Sequence, residues 1–330
     1  MFQYQDMPKE HIVCNLCGGD NFFILARSAS NGHAAQTCLC KRCGLIYLNP
    51  RMTKEAYDEY YRSFYREDRA HAKGEKEEQS LEDGFQMSVR FGEALARALS
   101  TYVHTEGVTI DVGSNSGGAL QGFKNIFPKL ELVGIEPSKA HAEFANIRGI
   151  KTYNCLFEDF PKEKMQGVSH ILCFHTLNHL LDPKGFFIWA HSVLEPGGRL
   201  ILSVKNFRAQ ARRGGSLVSA IQIDHAFMFT PESLRLMLQM AGFRVLYEDN
   251  DEYKNRSEWT HQLKSGLSVH HIRIVAEKAN IPAPEELDVL VSMPPLVLQR
   301  QLSRFRLFLY YALFYSRKTK LLRRLFRIRY

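Results

Sequence analysis

Residues 108–120 read Val108-Thr109-Ile110-Asp111-Val112-Gly113-Ser114-Asn115-Ser116-Gly117-Gly118-Ala119-Leu120, which is an apolar run, a glycine-containing turn and a second apolar segment. This pattern predicts a β-strand that ends near Val112, a tight turn, and a helix that begins near Gly117. Gly113 permits a sharp turn at the end of the strand, and Gly117 permits a ligand to approach the backbone closely. The stretch therefore indicates a ligand-binding turn between a strand and a helix.

Apolar runs and helical segments alternate on the C-terminal side of this turn. We predict strands at 108–112, 131–135, 168–174, 199–204, 243–249 and 269–276. Helices are predicted between them, at about 117–127, 138–148, 183–194 and 230–241. Strands that are separated by helices of this length favour an α/β fold with a doubly wound, mostly parallel sheet.

The turn departs from two common nucleotide-binding patterns. A dinucleotide fingerprint requires Gly where this chain has Asn115, and a P-loop requires Lys where it has Ala119. The acidic residue Asp111 suits a cationic, amino-acid-bearing ligand instead. Glu136 ends the next predicted strand, where a carboxylate can accept hydrogen bonds from both hydroxyls of a ribose. A doubly wound domain that binds no nucleotide is the alternative.

Five of the seven cysteines lie between residues 14 and 43. Two CxxC pairs, each followed by Gly, supply four thiolates: Cys14, Cys17, Cys40 and Cys43. Four thiolates of this spacing are typical of a structural Zn²⁺ site, since no coordination position is left open for chemistry. Cys38 does not belong to either CxxC pair and is not expected to bind the metal. The alternative is a group of buried, reduced cysteines.

The motifs together resemble those of the class I S-adenosylmethionine-dependent methyltransferases. The resemblance covers about residues 12–277. The segments that carry it are 111–118, 134–139, 174–183, 194–198, 223–225, 229–234 and 241–243. The cysteine-rich segment that ends at Pro50 resembles the N-terminal zinc-binding region of one branch of this family. That branch is similar to the sugar C-methyltransferases and to methyltransferases of surface-polysaccharide biosynthesis.

The resemblance implies a seven-stranded Rossmann-like sheet and a role for each matching residue. The residues expected to bind S-adenosylmethionine are Asp111, Gly113, Asn115, Gly117, Glu136, Pro137 and His175. Residues 154–158 are expected near the adenine. His175 and His179 follow the predicted strand at 168–174, at the edge where open α/β sheets bind ligands.

The resemblance also implies a catalytic base in the segment after the predicted strand at 199–204. Sugar C-methyltransferases have a His-Glu-His triplet there, and this chain has Ile223-Asp224-His225. We expect His225 to act as the general base because imidazole titrates near neutral pH. Asp224 is expected to orient it, and His175 is a further catalytic candidate. The alternative for each histidine is a structural role.

Four segments are expected: a zinc-binding module (1–50), a helical linker or lid (51–106), the Rossmann-like domain (107–280), and a Pro-rich linker with a basic helical tail (281–330). Residues 296–330 hold ten Lys/Arg and no Asp/Glu, so most of the formal net charge of +8 belongs to the tail. Such a helix can contact an anionic membrane surface, or it can pack on the domain or a second copy.

These observations favour methyl transfer to a small-molecule or glycan acceptor, such as a nucleotide sugar or a lipid-linked or surface-polysaccharide precursor. An RNA methyltransferase and a non-catalytic, membrane-associated module are the alternatives. Nucleic acid is not the expected partner, because the chain outside the tail is about neutral. The first ten residues lack the apolar core of a signal peptide, and the longest apolar run of the tail is too short to span a bilayer. We expect a cytoplasmic enzyme, with membrane contact through the tail left open.

Overall fold

The computed structural model describes residues 2–30, 32–65, 68, 80–161, 166–251, 266–267, 269–279 and 291–314. Its strands are β1 (Lys9–Glu10), β2 (Phe22–Ala26), β3 (Thr37–Cys40), β4 (Ile46–Leu48), β5 (Arg51–Met52), β6 (Glu106–Val112), β7 (Lys129–Ile135), β8 (Thr152–Tyr153), β9 (Val168–Phe174), β10 (Leu194–Lys205), β11 (Phe227–Met228), β12 (Phe243–Asp249) and β13 (His271–Lys278). Its α-helices are α1 (Lys54–Ser63), α2 (Leu81–Ala98), α3 (Gly118–Ile126), α4 (Lys139–Ile147), α5 (Pro183–Val193), α6 (Phe207–Gly214), α7 (Pro231–Met240), α8 (Pro295–Gln301) and α9 (Arg304–Phe314).

A seven-stranded sheet forms the centre of the molecule, in the order β12-β13-β10-β9-β6-β7-β8. Strands β6 to β10 within it pair in parallel, and β13 runs antiparallel to both β10 and β12. The strand order reverses direction between β6 and β9, because β7 lies on one side of β6 and β9 on the other. A crevice forms outside the carboxyl ends of the strands at such a point, and ligands bind there.

The predicted α/β fold with a doubly wound, mostly parallel sheet is confirmed. Each of the six predicted strands and four predicted helices is present, with ends within a few residues of those expected. Strand β10 begins earlier than predicted, because Leu194 already pairs with Val168 before a shift in register. The seventh strand, β8, has only two residues, and the sequence pattern did not show it.

A second, four-stranded sheet has the order β11-β4-β3-β2. Three of its strands come from the N-terminal cysteine-rich segment, whereas β11 comes from the segment that follows β10 and α6. Further bonds join the two regions: Leu48 N–H donates to Ala226 O at 3.0 Å, and Ser30 N–H donates to Ile221 O at 2.9 Å. Buried apolar residues of both regions belong to one continuous core. The N-terminal segment is therefore attached directly to the loop that carries Asp224 and His225.

Helices α2 and α3 contact each other backbone to backbone. A Cβ atom on Gly122 would lie 2.4 Å from the carbonyl oxygen of Val89, and one on Gly92 would lie 2.4 Å from that of Ala119. A Cβ on Gly118 would lie 2.5 Å from the Phe85 oxygen. Glycines at these three positions allow the close approach, which fixes α3 and hence the turn that precedes it.

The C-terminal helices α8 and α9 bury Leu298 and Leu307 against the core. The opposite face of α9 leaves Phe305 74% and Phe308 62% exposed. None of the described helices is long and apolar enough to cross a membrane. Residues 315–330 of the predicted basic tail and residues 281–290 of the predicted Pro-rich linker lie outside the described residues, as do residues 66–67 and 69–79 of the linker or lid.

Gly122→Ala should destabilise the protein by about 1–3 kcal/mol, because the added methyl group overlaps the backbone of α2. Gly84→Ala is the matched control: Gly84 lies in α2, and nothing lies within 4 Å of its Cβ position. That change should be neutral or stabilise by up to about 1 kcal/mol, because Ala favours a helix more than Gly does. Denaturant unfolding measures both values, and equal effects of the two substitutions would contradict the close helix contact.

Candidate active site

The glycine turn lies between β6 and α3, at the point where the sheet order reverses. Gly113 has φ +74°, and a Cβ there would lie 2.2 Å from Thr176 Oγ1 in the loop after β9. Gly117 has φ +79° and is the N-cap residue immediately before α3. Both positions are in the left-handed region that favours glycine. The turn thus brings the end of β6 directly against the loop that carries His175 and His179.

Asp111 is buried near the end of β6, and its Oδ1 has no hydrogen-bond partner among the described residues. Burial, followed by the negative charge of Glu136, raises the pKa of this carboxyl well above its usual range. A buried oxygen without a partner is costly in a folded protein. The site therefore suits a ligand that brings a positive charge or a hydrogen-bond donor to Asp111.

Glu136 follows β7 and is held in one orientation by two backbone groups. Asn115 N–H donates to its Oε2 and Ser138 N–H donates to its Oε1, each at 2.8 Å. Burial raises the pKa of Glu136, and these two hydrogen bonds oppose the rise. Since a carboxylate oxygen has two lone pairs, each oxygen keeps one acceptor position for a ligand.

The remaining predicted cofactor residues surround these two acids. Asn115 is exposed and has φ +50°. Pro137 is exposed, and its carbonyl accepts from the Asn154 side chain at 2.8 Å. His175 is exposed at the end of β9 with φ +59°, and its ring centroid lies 4.6 Å from that of His271. All of them lie at the carboxyl edge of the sheet.

Asp224 and His225 are both buried in the segment before β11. The Asp224 Oδ2 atom has no hydrogen-bond partner among the described residues. The Lys205 Nζ atom, at the end of β10, lies 3.3 Å from His225 Nε2 and donates to Gln222 Oε1 at 2.9 Å. Tyr57 on α1 holds this segment in place, because its hydroxyl donates to Ile223 O at 3.2 Å.

His179 lies against the Asp224–His225 pair. Its Nδ1 is 3.0 Å from the backbone oxygen of Asp224 and 3.8 Å from Asp224 Oδ2. Its ring meets that of His225 edge to face, with 4.8 Å between centroids. The Tyr61 hydroxyl, from α1, lies 2.8 Å from the same Nδ1. The fold thus assembles a His–Asp–His group from two segments, where the sequence pattern lacked the first His of a triplet.

Sequence reasoning missed Tyr61 and Lys205 as members of this group. Tyr61 lies in the segment 51–106, which was predicted only as a helical linker or lid. Lys205 is the last residue of β10, and its position at the carboxyl end of a strand was the one available signal.

The four cysteines of the CxxC pairs converge near the N-terminal sheet. Their Sγ atoms all lie within 4.8 Å of one another, and Cys14–Cys43 and Cys17–Cys40 are separated by 3.4 and 3.5 Å. Zn–S bonds of about 2.3 Å in a tetrahedron place the sulfurs about 3.8 Å apart, so the residues fit the metal. Cys38 lies outside the group, with its Sγ 3.7 Å from Asn49 O.

Comparisons with known proteins identify the central part of the chain. Residues 86–248 match a family model described as a methyltransferase domain. The similar solved structures include the plantazolicin methyltransferase BpumL, with 14% identity and a TM-score of 0.49. The match covers 68% of this chain and 94% of the BpumL chain. Geranyl diphosphate methyltransferase has 18% identity and a TM-score of 0.44, and the match covers 57% of this chain and 85% of that one. The YcgJ protein of Bacillus subtilis has 14% identity and a TM-score of 0.42, with 57% and 99% covered.

No curated protein matches the chain. The matched region begins in α2 and ends in β12, so it contains the glycine turn, Asp111, Glu136 and the histidine group. Residues 86–248 of this chain are therefore a class I S-adenosylmethionine-dependent methyltransferase domain.

Proposed function

We propose that the protein methylates a small-molecule or glycan acceptor at the carboxyl edge of the seven-stranded sheet. The observation that carries this proposal is the buried Asp111 oxygen that has no hydrogen-bond partner among the described residues, beside a turn with two glycines of positive φ. The same edge holds several titratable groups within contact of one another, which suits proton removal from an acceptor.

The cofactor site consists of the turn and the two acids. Asp111, with Gly113, Asn115 and Gly117, would hold the amino-acid end of S-adenosylmethionine, and Glu136 would accept from the ribose hydroxyls. Two further residues, Pro137 and His175, would line the site. When bound, S-adenosylmethionine supplies a methyl group on a positively charged sulfur.

The histidine group would take the proton that the acceptor loses. His225 is the base that the sequence pattern predicts, and Asp224 is adjacent to it. An imidazole is suited to this role because it accepts and releases a proton near neutral pH. His175, at the end of β9, lies close enough to the turn to contact either the acceptor or the cofactor.

The acceptor class rests on the resemblance to sugar C-methyltransferases and surface-polysaccharide methyltransferases. Lys205, beside His225, adds a positive charge that suits an acceptor with a phosphate or carboxylate group. A nucleotide sugar or a lipid-linked glycan precursor has such a group. RNA methylation is the second candidate, with the basic C-terminal residues as its support.

The four cysteines would bind one structural Zn²⁺. The ion would tie the end of β3 to the loop between β1 and β2, and β3 is joined through β4 to β11, next to Asp224 and His225. Its role would be to hold that loop, and it would take no part in methyl transfer.

The C-terminal surface, defined as the exposed side chains of α8 and α9, would contact an anionic membrane peripherally. It includes Leu296, Phe305 and Phe308, and the chain has no acidic residue from 296 to 330. Exposed aromatic residues beside basic residues are typical of helices that bind at a lipid interface. This contact would place a cytoplasmic enzyme near a lipid-linked acceptor.

Calorimetry should show binding of S-adenosylmethionine that is accompanied by proton release. Burial raises the pKa of Asp111 in the free protein, and a bound cation favours the carboxylate, so the pKa falls and a proton leaves. Affinity should therefore fall as pH is lowered. The heat of binding in two buffers of different ionisation enthalpy gives the number of protons.

Asp111→Asn should weaken binding at least about tenfold and abolish the proton release, because the charge-assisted contact is lost. The control is Asp58→Asn, which removes an exposed carboxylate from α1. Failure of the folded protein to bind S-adenosylmethionine would contradict the cofactor site. Binding that Asp111→Asn leaves unchanged would contradict the role of Asp111.

Purified protein should contain one zinc per chain, measured by plasma mass spectrometry. Cys40→Ser should lose the metal and lower the unfolding temperature, since a structural zinc site contributes directly to folding. Cys38→Ser is the matched control, because Cys38 lies on the same strand outside the group and should retain the metal. Equal zinc content in the two variants would rule out the proposed site.

The protein should sediment with phosphatidylglycerol vesicles and not with phosphatidylcholine vesicles, and less so at high salt. Replacing Phe305 and Phe308 together with Ser should reduce binding several-fold. Ile188→Ser removes an exposed apolar side chain from α5 and serves as the control. Equal sedimentation of the double variant and the parent would show that this surface is not the membrane contact.

A further inference from the structure

The hydrogen bonds of the two histidines differ, and the difference bears on which of them can accept a proton. A lysine ammonium has only donors, so Lys205 Nζ, 3.3 Å from His225 Nε2, is the donor and that nitrogen is the acceptor. The positive charge disfavours a second proton on this ring. His225 is also 98% buried, which separates it from solvent.

His179 has the opposite arrangement. Its Nδ1 lies 3.0 Å from the backbone oxygen of Asp224, and a carbonyl oxygen can only accept. The hydrogen of the neutral ring is therefore on Nδ1, and the lone pair is on Nε2. Tyr61 fits this assignment, because its hydroxyl donates to the same Asp224 oxygen at 3.3 Å and accepts from Nδ1.

Asp224 supplies a negative charge on the Nδ1 side of His179. Its Oδ2 is 3.8 Å from Nδ1, buried, and without a hydrogen-bond partner among the described residues. A proton added at Nε2 makes the ring a cation, which this carboxylate stabilises. The His179 side chain is 26% exposed, so it can contact an acceptor and later return the proton to water.

We propose that His179 Nε2, rather than His225, accepts the proton of the methyl acceptor, and that Asp224 and Tyr61 are positioning residues that hold its tautomer and orientation. This assignment rests on the proposed function. The proton of the acceptor moves to Nε2, and the electron pair left behind forms the new bond to the methyl carbon. The C–S bond breaks with its electron pair going to sulfur, and the imidazolium releases its proton to solvent.

A metal ion is the competing occupant of this group. The nearest ligand atoms of His179, Asp224 and His225 lie within 4.8 Å of one another, which is close enough for coordination. The Lys205 ammonium opposes it, because it places a positive charge next to His225. The backbone oxygen of Asp224 also already holds the Nδ1 hydrogen of His179.

Two measurements on the full, zinc-loaded protein test the assignment without a known acceptor. Nitrogen-15 NMR of labelled histidines should show His179 with its hydrogen on Nδ1. Diethylpyrocarbonate attacks an accessible, unprotonated imidazole nitrogen, so at pH 7 it should modify His179 at least tenfold faster than His225, as mapped by peptide mass spectrometry. Faster modification of His225, or a His179 with its hydrogen on Nε2, would overturn the proposal.

Asp224→Asn tests the positioning role. Loss of the carboxylate should move the NMR titration midpoint of His179 to lower pH, a change that a purely packing role would not produce. Lys205→Met is the matched control: it should raise the midpoint of His225 more than that of His179. An unchanged His179 midpoint in Asp224→Asn would overturn the role of Asp224.

Binding of S-adenosylmethionine, measured on the same samples, distinguishes a wrong assignment of the base from a wrong proposed function. Asp111-dependent binding together with an unreactive His179 would overturn only the assignment of the base. Absence of binding would overturn the proposed function. A second metal equivalent that is lost on His179→Gln would overturn the assignment in favour of a metal site.

Discussion

The pairing of β4 with β11 is the constraint on which the acceptor side of the site depends. Two residue pairs, Phe227 with Tyr47 and Met228 with Ile46, join the N-terminal sheet to the segment that follows Asp224 and His225. Helix α1 adds Tyr57 and Tyr61 on the same side. Without these contacts the segment would lose its strand pairing, and the group formed with His179 would be held less firmly.

The cofactor side obeys a different constraint, which is the cost of burying charge. Asp111 and Glu136 lie close enough to raise the pKa of Asp111, and only Glu136 has backbone donors on both oxygens. The fold therefore carries an unfavourable electrostatic feature that a cationic ligand would relieve. Such local destabilisation is found where a protein binds a ligand of complementary charge, because the binding free energy offsets it.

The sequence predicts the sheet well because its signals are local. The alternation of apolar runs and helical periods defines β6, β7 and β9 without any knowledge of their neighbours. Each CxxC spacing similarly brings two sulfurs together through a short turn. Two features depend on long-range contacts and could not be predicted in this way: β11 pairs with residues far earlier in the chain, and His179 meets Asp224 across two loops. Strand β8 was missed because a strand of two residues is too short to show an alternation of apolar and polar side chains.

The strands of the four-stranded sheet come from distant parts of the chain, so the ribosome makes them at different times. Strands β2, β3 and β4 leave the ribosome before the central sheet, together with all four cysteines of the CxxC pairs, but their partner β11 follows the five parallel strands of that sheet. The edge of β4 that pairs with β11 therefore stays unpaired while most of the central sheet is made. An unpaired strand edge is prone to associate with other chains. Early binding of the proposed zinc would give this fragment a defined shape during that interval, and it would make the availability of zinc during translation a determinant of the yield of correctly folded protein.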